Sequence, residues 1–106
     1  MRKSDQFRSR VEKNPGNPLF RFSLGQALFE EESWEEAVEH LTVAARSRDD
    51  WMLARILVGK ALLRLGRNKE ARPWLETSLR LAVEQHHEGP EADVRALLEG
   101  LGGPPE

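Results

Sequence analysis

The sequence predicts an all-α protein built as a stack of antiparallel helix pairs. The first observation behind this prediction is a repeat, because the segment 18–51 matches the segment 52–85 when the two are aligned end to end. Self-similarity at a fixed period of this length is the signature of repeat architectures. The identical pairs in this alignment are Leu19/Leu53, Arg21/Arg55, Gly25/Gly59, Ala27/Ala61, Leu28/Leu62, Glu36/Glu70, Ala37/Ala71, Leu41/Leu75 and Arg46/Arg80.

The second observation is the spacing of apolar residues within each repeat, which is that of two helices. A unit of two helices cannot bury its apolar side alone, so stacked copies must share one continuous core. Such a scaffold works by binding, and the sequence does not identify what is bound.

The first helix is expected over 4–14, with Ser4 as its N-cap. Asn17 then caps a second helix that starts at Pro18 and runs to about residue 31. Ser33 and Glu36 have the spacing of a capping box, which predicts a third helix from Trp34 to about Ser47.

Asp49 and Asp50 are expected to end the third helix and to cap a fourth over 51–65. Apolar residues surround most of this fourth helix, which predicts that it lies at the centre of the stack. Gly66 permits the next turn, and Asn68 is expected to cap a fifth helix that continues to residue 86 or 87 despite Pro73.

The chain ends in a predicted capping helix. Gly89 and Pro90 are expected to break the chain, and apolar residues from Val94 to Leu101 have helical spacing over 92–101. This helix is narrow and amphipathic, as expected for a lid on the stack. Residues 102–106 have nothing to pack and are predicted to form a flexible tail.

Composition excludes several functional classes. One domain is expected from 106 residues, and a formal net charge of −2 disfavours nucleic acid as the main partner. The absence of cysteine removes disulfides, thiolate nucleophiles and cysteine metal sites. The first residues contain no apolar signal segment, and no apolar run is long enough for a membrane span, so we expect a cytoplasmic protein without membrane contact.

The pattern resembles the tetratricopeptide repeat (TPR) family, in particular small bacterial members with two full repeats and a capping helix at each end. A Leu-Gly step followed by small and leucine positions carries the resemblance: Leu24, Gly25, Leu28, Ala37, Leu41 and Ala44, then Val58, Gly59, Leu62, Ala71, Leu75 and Ser78. The glycines are expected to lie opposite Ala37 and Ala71, where two backbones approach closely.

This resemblance implies a right-handed α-α superhelix of about six helices. Its single domain spans 1–101, with a half-repeat helix at 4–14, repeats at 18–51 and 52–85, and a capping helix at 90–101. Three features depart from the family pattern. Arg21 and Arg55 stand where an aromatic residue is usual, and Asp49 and Val83 replace the closing proline. Leu28 and Leu62 replace a common tyrosine.

The resemblance also implies a concave groove, lined by the first helix of each repeat, that holds a peptide or helix of a partner protein. Mapped onto this chain, the expected partner-binding residues are Leu19, Phe22, Gln26, Phe29, Trp51, Leu53, Ile56, Lys60, Leu63 and Arg64. Phe22, Gln26 and Leu57 occupy the places of the lysine and asparagine residues that clamp carboxylates in some members, which disfavours that use.

Two alternatives remain open for these apolar residues. The terminal helices could cover Phe22, Phe29, Ile56 and Leu63 and so make them ordinary core. The same surface could instead pair two copies of the chain as a homodimer.

Other patterns indicate no chemistry. His86, His87 and Glu88 point in different directions on a helix, so no metal site is expected. The acidic residues at 30–32, 35, 36 and 39 could bind a basic partner, but they are read as a helix-start preference and a solvated face. No phosphate loop or nucleophile motif occurs, so neither an enzyme nor a cofactor is expected.

Overall fold

The computed structural model describes residues 2–101, which form six helices and no strand. They are α1 (Lys3–Lys13), α2 (Pro18–Glu30), α3 (Trp34–Ser47), α4 (Met52–Arg64), α5 (Asn68–Glu84) and α6 (Glu88–Gly100). Each helix packs against the next one along the chain, and the short connections make these neighbours antiparallel. The predicted all-α stack is therefore confirmed. The flexible tail predicted for 102–106 lies outside the described residues.

Close packing of α2 on α3, and of α4 on α5, depends on one glycine in each pair. A Cβ atom added to Gly25 would lie 2.6 Å from Leu41 Cγ, and one added to Gly59 would lie 2.6 Å from Leu75 Cδ2. The prediction that glycine is needed for a close approach is correct, but its neighbour is a leucine. Ala37 and Ala71, which lie one turn earlier, are not the nearest residues.

Helix starts agree with the sequence at one predicted cap. The Asn17 side chain accepts hydrogen bonds from the backbone N–H groups of Leu19 (2.9 Å) and Phe20 (3.2 Å). At α3 the predicted capping box is wrong, because Ser33 makes no side-chain cap. The Glu36 carboxylate instead accepts a hydrogen bond from Arg8 of α1 at 3.0 Å.

The residues that precede α4 and α5 also differ from the predicted caps. Trp51 and Arg67 hold the N-cap positions, and neither makes a side-chain cap hydrogen bond. Asp50 contributes its carbonyl, which accepts from the Met52 N–H at 2.9 Å. Asn68 is the first residue inside α5. The short polar side chains that favour caps are therefore present, but they lie one position away.

Ser4 has a different role from the predicted N-cap. Arg2 holds that position, and the Ser4 side chain is buried against the connection between α2 and α3. Its hydroxyl donates to one oxygen of Glu31 at 2.7 Å, and its backbone N–H donates to the other at 3.0 Å. Ser4 therefore binds the connection between α2 and α3 through one carboxylate, in addition to the Arg8–Glu36 hydrogen bond.

The boundary between α5 and α6 also differs from the expectation. Helix α5 ends at Glu84, and His86 takes a left-handed φ of 57° in the turn that follows. Helix α6 then begins at Glu88, so Gly89 and Pro90 lie in its first turn. Proline is tolerated there because the first N–H groups of a helix have no partner inside it.

Helix α4 is the most deeply buried element, as its apolar circumference predicted. Seven of its residues are buried: Ala54, Ile56, Leu57, Val58, Gly59, Ala61 and Leu62. One core cluster joins this helix to residues from all the others, from Val11 of α1 to Val94 of α6. The stack therefore has a single continuous core.

His40 is a buried polar residue on α3 whose partner comes from α2. Its Nδ1 atom lies 3.0 Å from an Nη atom of Arg21, and because a guanidinium only donates, Nδ1 is the acceptor. Burial lowers the pKa of the imidazole below its usual value, the charges of Arg21 and Arg8 lower it further, and Glu39 and Glu36 oppose this. His40 is therefore held as the neutral form.

The lengths and compositions of the helices also bear on membranes. Between residues 2 and 101, no helix combines the length and apolar character needed to cross a bilayer.

Candidate functional site

An open depression of about 470 Å³ lies where α2, α4 and α6 meet. Phe29, Leu63 and Leu97 form its apolar surface, one from each helix, and each lies one repeat period after the one before. All three are partly buried against the core, and part of each side chain remains accessible to solvent. We call these three residues the apolar ladder.

One rim of the depression is built around Trp34, the first residue of α3. The Phe29 and Trp34 rings meet edge to face, with centroids 5.0 Å apart and planes at 80°. Arg64 places its guanidinium carbon 5.6 Å from the Trp34 ring centroid. Contacts of these two kinds are worth roughly 0.5–1.5 kcal/mol each, so they hold the Phe29 ring and the Arg64 charge in place.

An ion pair forms the other rim. Lys60 of α4 and Asp93 of α6 approach to 2.9 Å between Nζ and Oδ2, and both line the depression. Their side chains are 34% and 52% exposed, so the pair contributes little to stability, and water screens it. Its effect is positional, since it joins the last helix to the central one beside the apolar ladder.

Four of the sequence-predicted groove residues lie together in this depression. They are Phe29, Lys60, Leu63 and Arg64. Two of them supply apolar surface and two supply positive charge. The lining contains one carboxylate, that of Asp93, so it carries a formal charge of one positive unit.

The other predicted residues lie elsewhere. Phe22 and Trp51 stack on each other, with centroids 4.9 Å apart and planes at 28°. Gln26 lines a smaller hollow between α1 and α2. Leu19 and Leu53 are 62% and 46% exposed and do not line the depression.

Ile56 is not available to a partner, and its assignment to the groove is therefore wrong. Its side chain is 4% exposed and belongs to the core cluster that also holds Val94 of α6. The alternative that these apolar residues are core thus holds for Ile56. Phe22, Phe29 and Leu63 pack against that core and stay partly exposed.

Three residues of the site are absent from the sequence-based set: Trp34, Asp93 and Leu97. The repeat register contained the signal for two of them. Counting one period on from Leu63 reaches Leu97, and from Gly59 reaches Asp93. Helix α6 was read as a lid, whereas its register is that of the first helix of a third repeat. Trp34 had no such signal, because its contacts are tertiary.

The arrangement combines apolar surface with charged groups at its edges. An apolar surface with charged rims can hold apolar side chains while orienting polar ones at its edges. Within residues 2–101, no cluster of histidine, aspartate and glutamate has the grouping needed to hold a metal ion.

Comparison with known proteins agrees with the observed architecture of an all-α stack. No family model matches the chain, and no curated protein matches it. Among solved structures, it is similar to the solution structure of protein BPP2914 from Bordetella parapertussis, a structural genomics target. The two are 24% identical with a TM-score of 0.78, over 95% of this chain and 88% of the other. At this identity the likeness extends to the fold alone.

Proposed function

We propose that this chain is a non-catalytic scaffold of the tetratricopeptide type that binds a peptide or helix of a partner protein in the depression between α2, α4 and α6. The family part of the proposal is supported by two glycine-to-leucine approaches at equivalent positions, Gly25 to Leu41 and Gly59 to Leu75. A two-helix repeat of this period with a Leu-Gly step in its first helix is what that family uses, and here the second copy has Val-Gly.

The apolar ladder is the observation that supports the binding role. Phe29, Leu63 and Leu97 bring apolar surface from three alternate helices into one open depression. Apolar surface gathered at one accessible place is a candidate interface. An amphipathic helix presents apolar side chains in one row, which suits this surface.

The charged residues at the rims indicate which charge a partner should carry. Lys60 and Arg64 of α4 place positive charge beside the ladder, and Asp93 neutralises part of that charge. A partner segment with apolar side chains in the row and a carboxylate beside it would satisfy Arg64, whose described contact is the Trp34 ring. This charge sets register and association rate more than affinity.

The experiment starts from peptides selected on the immobilised protein from a displayed random library. The tightest peptide is then measured by calorimetry against the native chain and against Leu63→Asp. We expect the variant to weaken binding by at least about tenfold, because a charge would replace an apolar contact at the centre of the ladder.

Val43→Asp is the matched control. Val43 is 43% exposed on α3 and does not line the depression, so the same chemical change there should leave the affinity unchanged. Circular dichroism of both variants establishes that the helices remain. Equal affinities for Leu63→Asp and the native chain, or failure to select any saturable peptide, would count against the proposed site.

Self-association is a second candidate, supported by a different surface. Leu19 and Leu53 occupy equivalent positions on α2 and α4 and are the most exposed of the large apolar residues on those helices. Light scattering over a hundredfold range of protein concentration tests this use. A mass that doubles with concentration and returns to the monomer value in Leu53→Glu would favour the homodimer, and a constant monomer mass would exclude it.

A further inference from the structure

Two equivalent arginines make the same backbone contact in both repeats. Arg21 donates from Nε to the Pro15 carbonyl at 2.9 Å, and Arg55 donates from Nε to the Asp49 carbonyl at 3.2 Å. In each case the acceptor lies six residues earlier, in the connection that leads into the helix. Each arginine therefore anchors a junction between successive units of the stack, and its outer nitrogens point to different partners in the two cases.

At the first junction, a terminal nitrogen of Arg21 also makes a hydrogen bond within the chain. An Arg21 Nη atom donates to the buried His40 imidazole at 3.0 Å. Two carboxylates belong to the sequence around this junction, Glu12 at the end of α1 and Glu39 beside His40. Positive and negative side chains are therefore both present at the first junction.

The second junction has a different balance of charges, although Asp49 places one carboxylate 3.9 Å from Arg55. An open depression of about 290 Å³ lies there between α3, α4 and α5. Its lining contains two arginines and no carboxylate: Arg46, Arg55, Pro73, Trp74 and Thr77. At the equivalent positions of the first junction the chain has Glu12, Arg21, Glu39, His40 and Val43. An acidic residue is thus replaced by arginine, another by proline, and a valine by a hydroxyl donor.

Arg55 is held in place before any ligand arrives. Its guanidinium carbon lies 5.4 Å from the Trp74 ring centroid, and its side chain is 16% exposed. Asp49 approaches one Nη atom only to 3.9 Å and is itself fully exposed, so this ion pair is weak. Arg46 is exposed, and among the described residues it forms no ion pair.

We propose that this second junction is a binding site for a phosphate group. A guanidinium fork matches the oxygen geometry of phosphate, and here one fork is fixed while a second can close from the opposite helix. The Thr77 hydroxyl supplies a neutral donor at the same depression. The site is distinct from the apolar ladder, whose lining shares no residue with it.

The test uses the full chain and follows the Arg55 Nε and Trp74 indole signals by NMR. Inorganic phosphate is titrated against acetate at a constant ionic strength of about 0.1 M, which removes differences in screening. We expect saturable shifts of both signals with phosphate and weaker binding of acetate, since a dianion is attracted more strongly by two arginines. Equal affinity for acetate would overturn the assignment to phosphate.

Two variants remove the site by different routes. Arg46→Glu gives position 46 the negative charge that its repeat equivalent, Glu12, carries. Pro73→Glu adds the carboxylate of its repeat equivalent, Glu39, without removing an arginine. Each should weaken phosphate binding by at least about tenfold. Pro73 is exposed inside a helix, where replacing proline restores a backbone donor, so this variant should fold.

Arg80→Glu is the charge-matched control. Arg80 is the repeat equivalent of Arg46, lies on α5 and pairs with Glu84 at 3.3 Å, outside the depression. Its replacement changes the net charge equally and should leave the affinity unchanged. An equal loss in Arg80→Glu, or shifts that do not saturate in the native chain, would show that phosphate responds to net charge only and would overturn the proposal.

Phosphoserine amide and glycerol 3-phosphate then separate a protein source of the phosphate from a small-molecule or lipid source. Tighter binding of either one, lost in Pro73→Glu, would support the site and identify the carrier. Failure of both to bind would count against it.

Discussion

Helices α2 and α4 open two repeats in the same register, yet they differ in burial. Both bury the residues that face their own partner helix: Leu24, Gly25, Ala27 and Leu28 in α2, and Val58, Gly59, Ala61 and Leu62 in α4. Helix α4 buries three more, Ala54, Ile56 and Leu57, whose equivalents in α2 are the half-buried Phe20, Phe22 and Ser23. The burial of the shared residues follows from pairing within each repeat. The burial of the three additional residues of α4 follows from its central position in the stack.

The largest expected effect separates Ile56 from its equivalent, Phe22. Ile56→Glu should lower the free energy of unfolding by at least about 3 kcal/mol, because a carboxylate would be buried without a partner. Phe22→Glu should cost about 1–2 kcal/mol, since this ring is only half-buried against Trp51. Urea denaturation followed by circular dichroism measures both. Similar losses would mean that the two helices are equally central.

The two glycines provide the next comparison. A methyl group at Gly25 would meet Leu41 side-chain atoms and, at 3.2 Å, the Leu41 backbone nitrogen, whereas at Gly59 the nearest atoms all belong to the Leu75 side chain. Side chains can shift more easily than backbone. Gly25→Ala should therefore cost about 2–3 kcal/mol, while Gly59→Ala should cost about 1–2 kcal/mol, because its clash is with a side chain alone and alanine also favours the helix.

Denaturant midpoints of the two alanine variants measure this difference. A larger cost at Gly59 than at Gly25 would show that the backbone of the first pair yields more readily than its geometry indicates.

A smaller difference lies in the turns between paired helices. Glu32 has a φ of 63° in the first repeat, and Gly66 has a φ of 75° at the equivalent position of the second. This region disfavours residues with a Cβ atom. Glu32→Gly should raise the free energy of unfolding by about 0.5–1 kcal/mol, and Gly66→Glu should lower it by about 1 kcal/mol.

Thermal unfolding of the two turn variants checks this prediction, because their midpoint temperatures should shift in opposite directions. Gly16→Ala is the control, because its φ is not left-handed and an added Cβ would meet nothing within 4 Å. It should leave stability unchanged or slightly higher. Destabilisation by Glu32→Gly would mean that the glutamate side chain outweighs its backbone strain.

The smallest expected effect is the dependence of stability on pH that His40 gives the first repeat. His40 has Trp74 as its equivalent, and burial lowers the pKa of His40 in the folded state. The unfolded chain therefore binds the proton more readily. The stability from neutral His40 is complete above the ordinary value of 6.5 and is lost as the pH falls through the folded-state pKa.

Chemical denaturation at pH 7.5 and at pH 5 checks this sign, with His40→Gln expected to flatten the profile. His87→Gln is the control, because His87 is exposed. An unchanged profile in His40→Gln would assign the pH dependence to other groups.

Much of this fold was predictable because its determinants are local. The apolar spacing located six helices, Asn17 capped α2 as expected, and Gly66 took its left-handed turn. The errors arise where a distant residue decides. Glu36 pairs with Arg8 from another helix rather than completing a cap with Ser33.

The candidate site was predictable in part for the same reason. The groove positions implied by the resemblance to the tetratricopeptide family included Phe29, Lys60, Leu63 and Arg64, which the structure brings together. The resemblance could not exclude Ile56, because exposure depends on which helices flank α4. Asp93 and Leu97 of α6 were missed because α6 was not recognised as the first helix of a third repeat. The glycine that marks this helix in the other two repeats is replaced by Asp93.

The attachment of α1 through Glu31 has a consequence for the order in which the molecule opens. In a linear stack, each end helix is held by fewer neighbours than an inner one, so partial unfolding starts at the ends. At the N-terminal end both hydrogen bonds of Ser4 reach one carboxylate. Together with the Arg8–Glu36 hydrogen bond and the buried Val11, Glu31 limits how often α1 detaches while the other helices stay folded. Amide hydrogen exchange of α1 in Glu31→Gln should therefore accelerate without a matching change in α4.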